Sequence, residues 1–183
     1  MILMRILIYG AGVIGSLYAA LFAEAGYDTS IYAREKRFEA LRNNGLLYKK
    51  NQEVIKAEIR ILGELPNDDI YDFVLLTVRE NQLYEALIEL KNNKSNTIVT
   101  MINSLGSYNK WENIVGKGRI LPAFPGAGGS INDDGILDAA LTPRLIQPTT
   151  FAEISGNKSE RTKQFYAYMK KMKKCGCKTK KVL

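Results

Sequence analysis

Residues 6–15 read ILIYGAGVIG, an apolar run ending in a Gly-x-Gly-x-x-Gly turn that opens straight into a helical pattern. Each glycine of that turn has its own task. Gly10 permits the tight strand-to-helix reversal, Gly12 lets backbone approach a pyrophosphate, and Gly15 allows the new helix to lie close on the strand. The N–H groups of this stretch, from Gly10 through Ala11, Gly12, Val13 and Ile14 to Gly15, together with the helix dipole, are candidates to hold the anion. The surrounding context is complete. Ile14, Leu17, Tyr18, Leu21, Phe22 and Ala25 recur at helical spacing, Gly26 stops the helix, and residues 28–32 form a β-rich run. The whole is a βαβ unit of about 30 residues, the setting in which this motif signals a dinucleotide.

The end of the second strand bears on which dinucleotide. Sites built for NAD place an Asp or Glu there to accept from the ribose hydroxyls, whereas a 2′-phosphate calls for an arginine. Here the strand runs out as Ile31-Tyr32-Ala33-Arg34 with no acid before Arg34. Glu35 follows, but beside Lys36 and Arg37 it reads as the first-turn carboxylate of the next helix. The expected cofactor is therefore NADP(H), with the planar Arg34 guanidinium forking onto the phosphate.

A chain of 183 residues suffices for one α/β domain with a sizeable core and is short for a dehydrogenase carrying its own substrate domain. With 46% hydrophobic and 25% charged residues it has an ordinary soluble composition. No apolar run approaches the roughly 20 residues that span a bilayer, and Arg5 interrupts any export-type h-region, so a cytoplasmic location and no membrane partner are expected. Cys175 and Cys177 are too few to be a disulfide framework, and without a single His there is no zinc site to expect; they read as reduced thiols, and no metal is assigned.

The net charge of +7 invites a nucleic-acid reading until its distribution is seen. Residues 156–183 hold ten Lys or Arg and one acid, net +9; residues 1–155 hold 16 bases and 18 acids, net −2. The basicity thus belongs to a tail, which also carries a helical stripe at Thr162, Phe165, Met169 and Met172. Either the tail is a basic surface-binding helix, or its apolar face belongs against a following domain. The second is preferred because the chain closes on Lys-Thr-Lys-Lys-Val-Leu with no helix stop. The organisation expected is a dinucleotide-binding domain over 1–155 and a basic helical tail over 156–183, with no specific nucleic acid as partner.

Between these ends strands and helices alternate as in a doubly wound, mostly parallel α/β sheet. Residues 46–50 and 54–62 read as an inserted hairpin, and 71–78 as a buried strand. A helix over 82–90, a strand over 97–102, a helix over 108–115 and a strand over 119–124 follow. Residues 143–147 and 150–154 are expected to pair antiparallel at an edge, around Pro148. Ligands of such sheets lie beyond the carboxyl ends of the strands. That rim holds Arg79 to Gln82 after one strand, Asn103-Ser104-Leu105-Gly106 after the next, and a glycine-rich turn, Gly126-Ala127-Gly128-Gly129, after the last.

In this order the features resemble the N-terminal half of the ketopantoate reductase family, the NADPH-dependent 2-dehydropantoate 2-reductases. The resemblance covers roughly residues 4–175 and rests on 6–20, Tyr32-Ala33-Arg34, Asn44-Gly45-Leu46, 72–82, 103–106, Gly126-Ala127 and 147–156. It implies a Rossmann-type fold, NADP(H) as cofactor, and reduction of a small 2-oxo acid, 2-dehydropantoate to pantoate in pantothenate biosynthesis. It implies that Arg34 takes the 2′-phosphate, that Arg79 replaces the family's usual lysine near the cofactor, and that Ala127 offers backbone to it. Asn103 would contact both nicotinamide and substrate as the catalytic positioning residue.

Two departures qualify these roles. Ser104 stands where the family has glycine, placing a Cβ where φ can need to be positive. The family's catalytic lysine and substrate-binding glutamate belong to a helical second domain and have no counterpart here; Lys170, Lys171, Lys173 and Lys174 lie in a charge run with no motif around them. The proton donor is therefore not expected in this chain. Beside this reading stand a non-catalytic NADP-binding or sensor protein, and a different two-domain dehydrogenase acting on a hydroxy acid. A homodimer is compatible with all three.

Overall fold

The computed structural model describes residues 4–103, 107–143 and 145–176; Met1 to Leu3, Ser104, Leu105, Gly106, Arg144 and Cys177 onward lie outside it, as do the side chains of Lys174 and Cys175. The opening unit is β1 (Arg5–Tyr9), α1 (Val13–Glu24) and β2 (Asp28–Tyr32), followed by α2 (Glu35–Asn44). The chain continues through β3 (Leu46–Lys50), β4 (Glu53–Ala57), β5 (Arg60–Leu62), β6 (Phe73–Leu76) and α3 (Leu83–Asn92), the last entered by a 3-10 turn over Glu80–Gln82. Then come β7 (Ile98–Met101), α4 (Tyr108–Val115), β8 (Ile120–Phe124), β9 (Ala127–Ile131), β10 (Leu137–Leu141), β11 (Thr150–Phe151) and α5 (Glu160–Gly176).

The main sheet has seven strands in the order β11-β8-β7-β6-β1-β2-β5, parallel throughout except for β11 at its edge. The order reverses at β1, which has β2 on one side and β6 on the other. Strands β6 and β7 are buried along their whole length, as an apolar run in a parallel sheet covered on both faces must be. Alternation along β1 divides the core in two. Ile6 and Ile8 pack with α1, while Leu7 and Tyr9 pack with Leu83, Leu87 and Leu90 of α3 and Trp111 of α4.

Four corrections to the sequence reading concern long-range pairing. Residues 54–62 are not one hairpin arm: β4 pairs with β3, but β5 leaves to extend the main sheet beside β2. The glycines after β8 do not form a plain turn, because Gly128 and Gly129 lie in β9, paired antiparallel with β10. Those two strands join β3 and β4 in a second sheet of order β4-β3-β10-β9. Among the described residues, Pro143, Leu145, Ile146 and Gln147 lie in no strand that could pair with 150–154; β11 instead pairs with β8, through Thr150 opposite Phe124.

Helix α1 packs between the two sheets, touching β1 and β2 on one side and β3, β4, β9 and β10 on the other. This explains why Ser16, Ala19 and Ala20 are buried along with the expected Leu17, Tyr18 and Phe22.

The fourth correction concerns the tail. Phe165, Met169 and Met172 do not wait for another domain: they are buried in the core cluster that holds α1. The Phe165 ring lies 5.1 Å from that of Phe73 and 4.8 Å from that of Phe151, and Tyr168 meets Tyr27 edge-on at 5.5 Å. Each such ring or thioether withdrawn from water contributes about 1.5–3 kcal/mol. The helix is started by Ser159, whose Oγ accepts from the Thr162 N–H at 3.2 Å. Among the described residues no helix is long and apolar enough to cross a membrane.

Candidate cofactor site

The turn between β1 and α1 is shaped by its glycines. Gly10 has φ +113°, a conformation that side-chain-bearing residues avoid. A Cβ at Gly15 would overlap the Gly10 carbonyl oxygen and press on Thr77 Oγ1. Thr77, just past β6, donates to the Gly10 carbonyl at 2.8 Å and ties the turn to the neighbouring strand. The N-cap of α1 is Gly12, so no side chain caps the helix. Its first N–H groups therefore look for acceptors outside the protein backbone, which is the condition for binding an anion.

This turn floors a cleft of about 620 Å³ at the carboxyl ends of β1, β2 and β6. The cleft lies where the strand order reverses and falls within the usual size of a small-molecule site. Of the residues expected to bind a cofactor, Gly10, Ala11, Gly12, Val13, Arg34 and Arg79 line it. Ile14 and Gly15 do not; Ile14 packs against the core and Gly15 makes the close approach just described. Asn103 is exposed just beyond β7 and Ala127 begins β9, and neither lines the cleft.

Arg34 is engaged on every side by neighbouring side chains. Its Nε donates to the Tyr32 hydroxyl at 3.1 Å, its Nη2 to the Tyr9 hydroxyl at 2.8 Å and to Glu89 at 2.5 Å, and its Nη1 pairs with Glu85 at 3.0 Å. Glu89 also accepts from both tyrosines, at 2.8 Å from Tyr32 and in a short bond from Tyr9. The two rings stack obliquely at 4.6 Å. Partial burial alone would lower the basicity of Arg34, but hydrogen bonds to Tyr32 and Glu89 outweigh it and hold the guanidinium protonated more firmly than usual. Burial likewise opposes ionisation of Glu89, yet the donors Tyr9, Tyr32 and Arg34 bring its carboxyl below the ordinary range. Burial, reinforced by Glu89, raises both tyrosines, so they remain donors.

Two further groups went unseen in the sequence. Arg37, one turn into α2, donates from Nε to the Ala11 carbonyl at 2.9 Å and from Nη2 to Ser16 Oγ at 3.3 Å, and lines the cleft. Its spacing from Arg34, three positions along a helix start, was the available signal. Glu85 and Glu89 share the i, i+4 spacing of one helix face, but nothing in the sequence ties that face to Arg34 across 55 positions.

The model for the family described as ketopantoate reductase PanE/ApbA matches residues 6–144. A 2-dehydropantoate 2-reductase of Mesorhizobium japonicum is 34% identical over 105 residues, which are 56% of this chain and 32% of that protein. The enzyme of the same name from Pyrococcus horikoshii is 28% identical over 139 residues, 74% of this chain and 44% of that one. The chain thus spans less than half the length of these curated relatives. Among solved structures, 2-dehydropantoate 2-reductase from Geobacter metallireducens superposes with a TM-score of 0.75 at 18% identity, over 92% of this chain and 56% of that one. D-mandelate dehydrogenase with NADH and anilino(oxo)acetate gives 0.73 at 17%, over 94% and 55%. Both likenesses establish the fold.

Proposed function

The chain belongs to the ketopantoate reductase PanE/ApbA family, and from that premise we propose that it forms the cofactor-binding half of an NADPH-dependent reductase of small 2-oxo acids, 2-dehydropantoate foremost. The observation that carries this reading is the uncapped start of α1 opening onto a cleft that also holds Arg34, Arg37 and Arg79. An anionic dinucleotide fits such a donor set: helix N–H groups suit the pyrophosphate, and an arginine at the end of β2 suits a 2′-phosphate. When bound, the nicotinamide group supplies a hydride to the carbonyl carbon. The chain's own part is to bind and orient. Gly10 to Val13 offer backbone, Arg34 and Arg79 offer charge, and Asn103 is assigned to positioning nicotinamide and substrate.

Reduction of a ketone also needs a proton at the developing alkoxide, and a placed acid contributes about 100- to 10,000-fold to such steps. Tyr9 and Tyr32 line the cleft but are poor candidates. Both hydroxyls donate to Glu89, and burial holds their protons more tightly than in a free tyrosine. The donor is therefore assigned to the part of the relatives' length that this chain does not cover. In this reading residues 1–155 are the dinucleotide-binding unit and 156–183 a tail whose helix packs back onto it. The finer expectations of a cytoplasmic location, a homodimer and no nucleic-acid partner rest on the sequence alone.

Calorimetric titration with NADPH and NADH tests the assignment: tighter binding of NADPH is expected, and equal affinities would remove the NADP part of it. Turnover tests where the proton donor lies, and a non-catalytic NADP-binding protein is the second reading, favoured by the position of Asn103 off the cleft. The 183-residue chain is expected to consume NADPH with 2-dehydropantoate slowly or not at all. Robust turnover would place the proton donor within this chain.

A further inference from the structure

We propose that Arg37 is the second cation of the phosphate subsite and sets the preference for a 2′-phosphorylated dinucleotide, an inference that rests on reading the cleft as a dinucleotide site. Arg34 faces both Glu85 and Glu89, so the cluster that should receive a 2′-phosphate carries one positive and two negative groups. A phosphate monoester brings about −1.5 to −2 more. Arg34 by itself cannot make that approach favourable.

Its donors are also largely committed. The Nε and Nη2 atoms of Arg34 are held by Tyr32, Tyr9 and Glu89, and its Nη1 edge meets Glu85. Glu85 is 71% exposed and can swing aside at little cost, so Arg34 can offer a ligand that one edge.

Arg37 differs in both respects. Its anchors are a backbone carbonyl and a serine hydroxyl, both neutral, and no described carboxylate pairs with it. A half-buried guanidinium with no counter-ion is costly, and an incoming anion relieves that cost. Burial already lowers its basicity, in keeping with an uncompensated charge. Its position selects the anion. By bonding Ala11 from the first turn of α2, Arg37 sits between the glycine turn and the end of β2, where the adenosine ribose of a dinucleotide lies. The pyrophosphate has the uncapped N–H groups of α1; the 2′-phosphate has Arg37 and the free edge of Arg34.

The test is calorimetric titration of the 183-residue chain, as wild type, Arg37→Ala, Arg37→Lys and Arg34→Ala, with NADPH and with NADH, alongside thermal melts. Arg37→Ala is expected to weaken NADPH about tenfold or more, the loss of a charge-assisted contact, while NADH stays within about twofold. Arg37→Lys, which keeps the charge without the fork, should recover most of the NADPH affinity. Equal losses for both cofactors would place Arg37 at the pyrophosphate or make it a mere brace of the turn, and overturn the proposal. So would a melting point that falls in Arg37→Ala and is not restored by lysine, with both affinities lost together. An unchanged NADPH affinity in Arg37→Ala, with wild-type preference intact and sensitive to Arg34→Ala, overturns this inference alone. A wild type that does not prefer NADPH overturns it together with the NADP reading.

Discussion

Two arginine–glutamate pairs in this molecule use the same chemistry to different ends. At the edge of the main sheet, Arg161 holds Glu153 through Nε at 2.7 Å and through Nη2 at 2.5 Å, and also donates to the backbone carbonyls of Gly118 and, at 3.0 Å, Ile120. Both side chains are mostly buried, and Glu153 also accepts from Ser159, the residue that starts α5. In the cleft, Arg34 is held entirely by side chains, and its outermost partner is exposed. Backbone carbonyls fixed by the surrounding fold cannot move aside, whereas a solvated glutamate can. The first pair is built to stay closed and the second to be opened by a ligand. Arg119 follows the first pattern, donating to the carbonyls of Leu90, Asn93, Ser95 and Val115.

The largest expected effect lies at the closed pair. Arg161→Met strands a buried carboxylate and leaves two carbonyls without donors, and should lower unfolding stability by about 2–3 kcal/mol. Urea unfolding measures this, and NADPH affinity under folded conditions should hardly change. A variant with wild-type stability and lost NADPH binding would invert the comparison. Next comes Arg34→Ala, which should cost about 1.5–3 kcal/mol of NADPH binding, tenfold or more in affinity, with a melting point close to the wild type. A large drop in melting point with intact NADPH preference would make Arg34 a second structural brace.

Acid sharpens the contrast on a smaller scale. The hydrogen bond from Arg161 holds the Glu153 carboxyl below its ordinary value of 4.5, against the opposing effect of burial. A carboxyl lowered in the folded state contributes stability that is complete above its unfolded value and is lost as pH falls through the folded one. Melts at decreasing pH should therefore decline below about 4.5 in the wild type and less steeply in Glu153→Gln. Parallel curves would show that Glu153 adds nothing to acid sensitivity. The smallest effect is assigned to Glu85→Gln. Removing an exposed competitor for Arg34 should leave stability within about 0.5 kcal/mol and tighten NADPH about two- to fivefold. Weaker NADPH binding in this variant would mean that Glu85 orients Arg34 instead of competing for it.

Legibility in the sequence followed the range of the interactions. The helix expected over 108–115 is present, and in the structure Trp111 and Val115 form its buried face within two turns. The helix over 82–90 was placed nearly correctly through Leu83, Leu87 and Leu90. Residues 54–62 were misread because the β-rich pattern of one run does not say that half of it pairs with β3 and half with β2. Gly128 and Gly129 were misread because a glycine pair after a strand has the composition of a turn, and only pairing with β10 makes it a strand. At the site, the glycine turn and Arg34 were legible, while Arg37, Glu85 and Glu89 looked like ordinary charges on solvated helices.

By itself the sequence determined the βαβ opening, the glycine turn, the run of buried parallel strands and the amphipathic character of the tail helix. Each of these is set by steric allowance at single residues or by apolar periodicity within a few turns, quantities that neighbouring side chains carry. Tertiary structure alone decided that the tail stripe closes on α1, that β3, β4, β9 and β10 make a second sheet over the same helix, and that two glutamates of α3 meet the arginine ending β2. These depend on which distant surfaces the packed core brings face to face, and a one-dimensional pattern of charges and apolar residues carries no such distances.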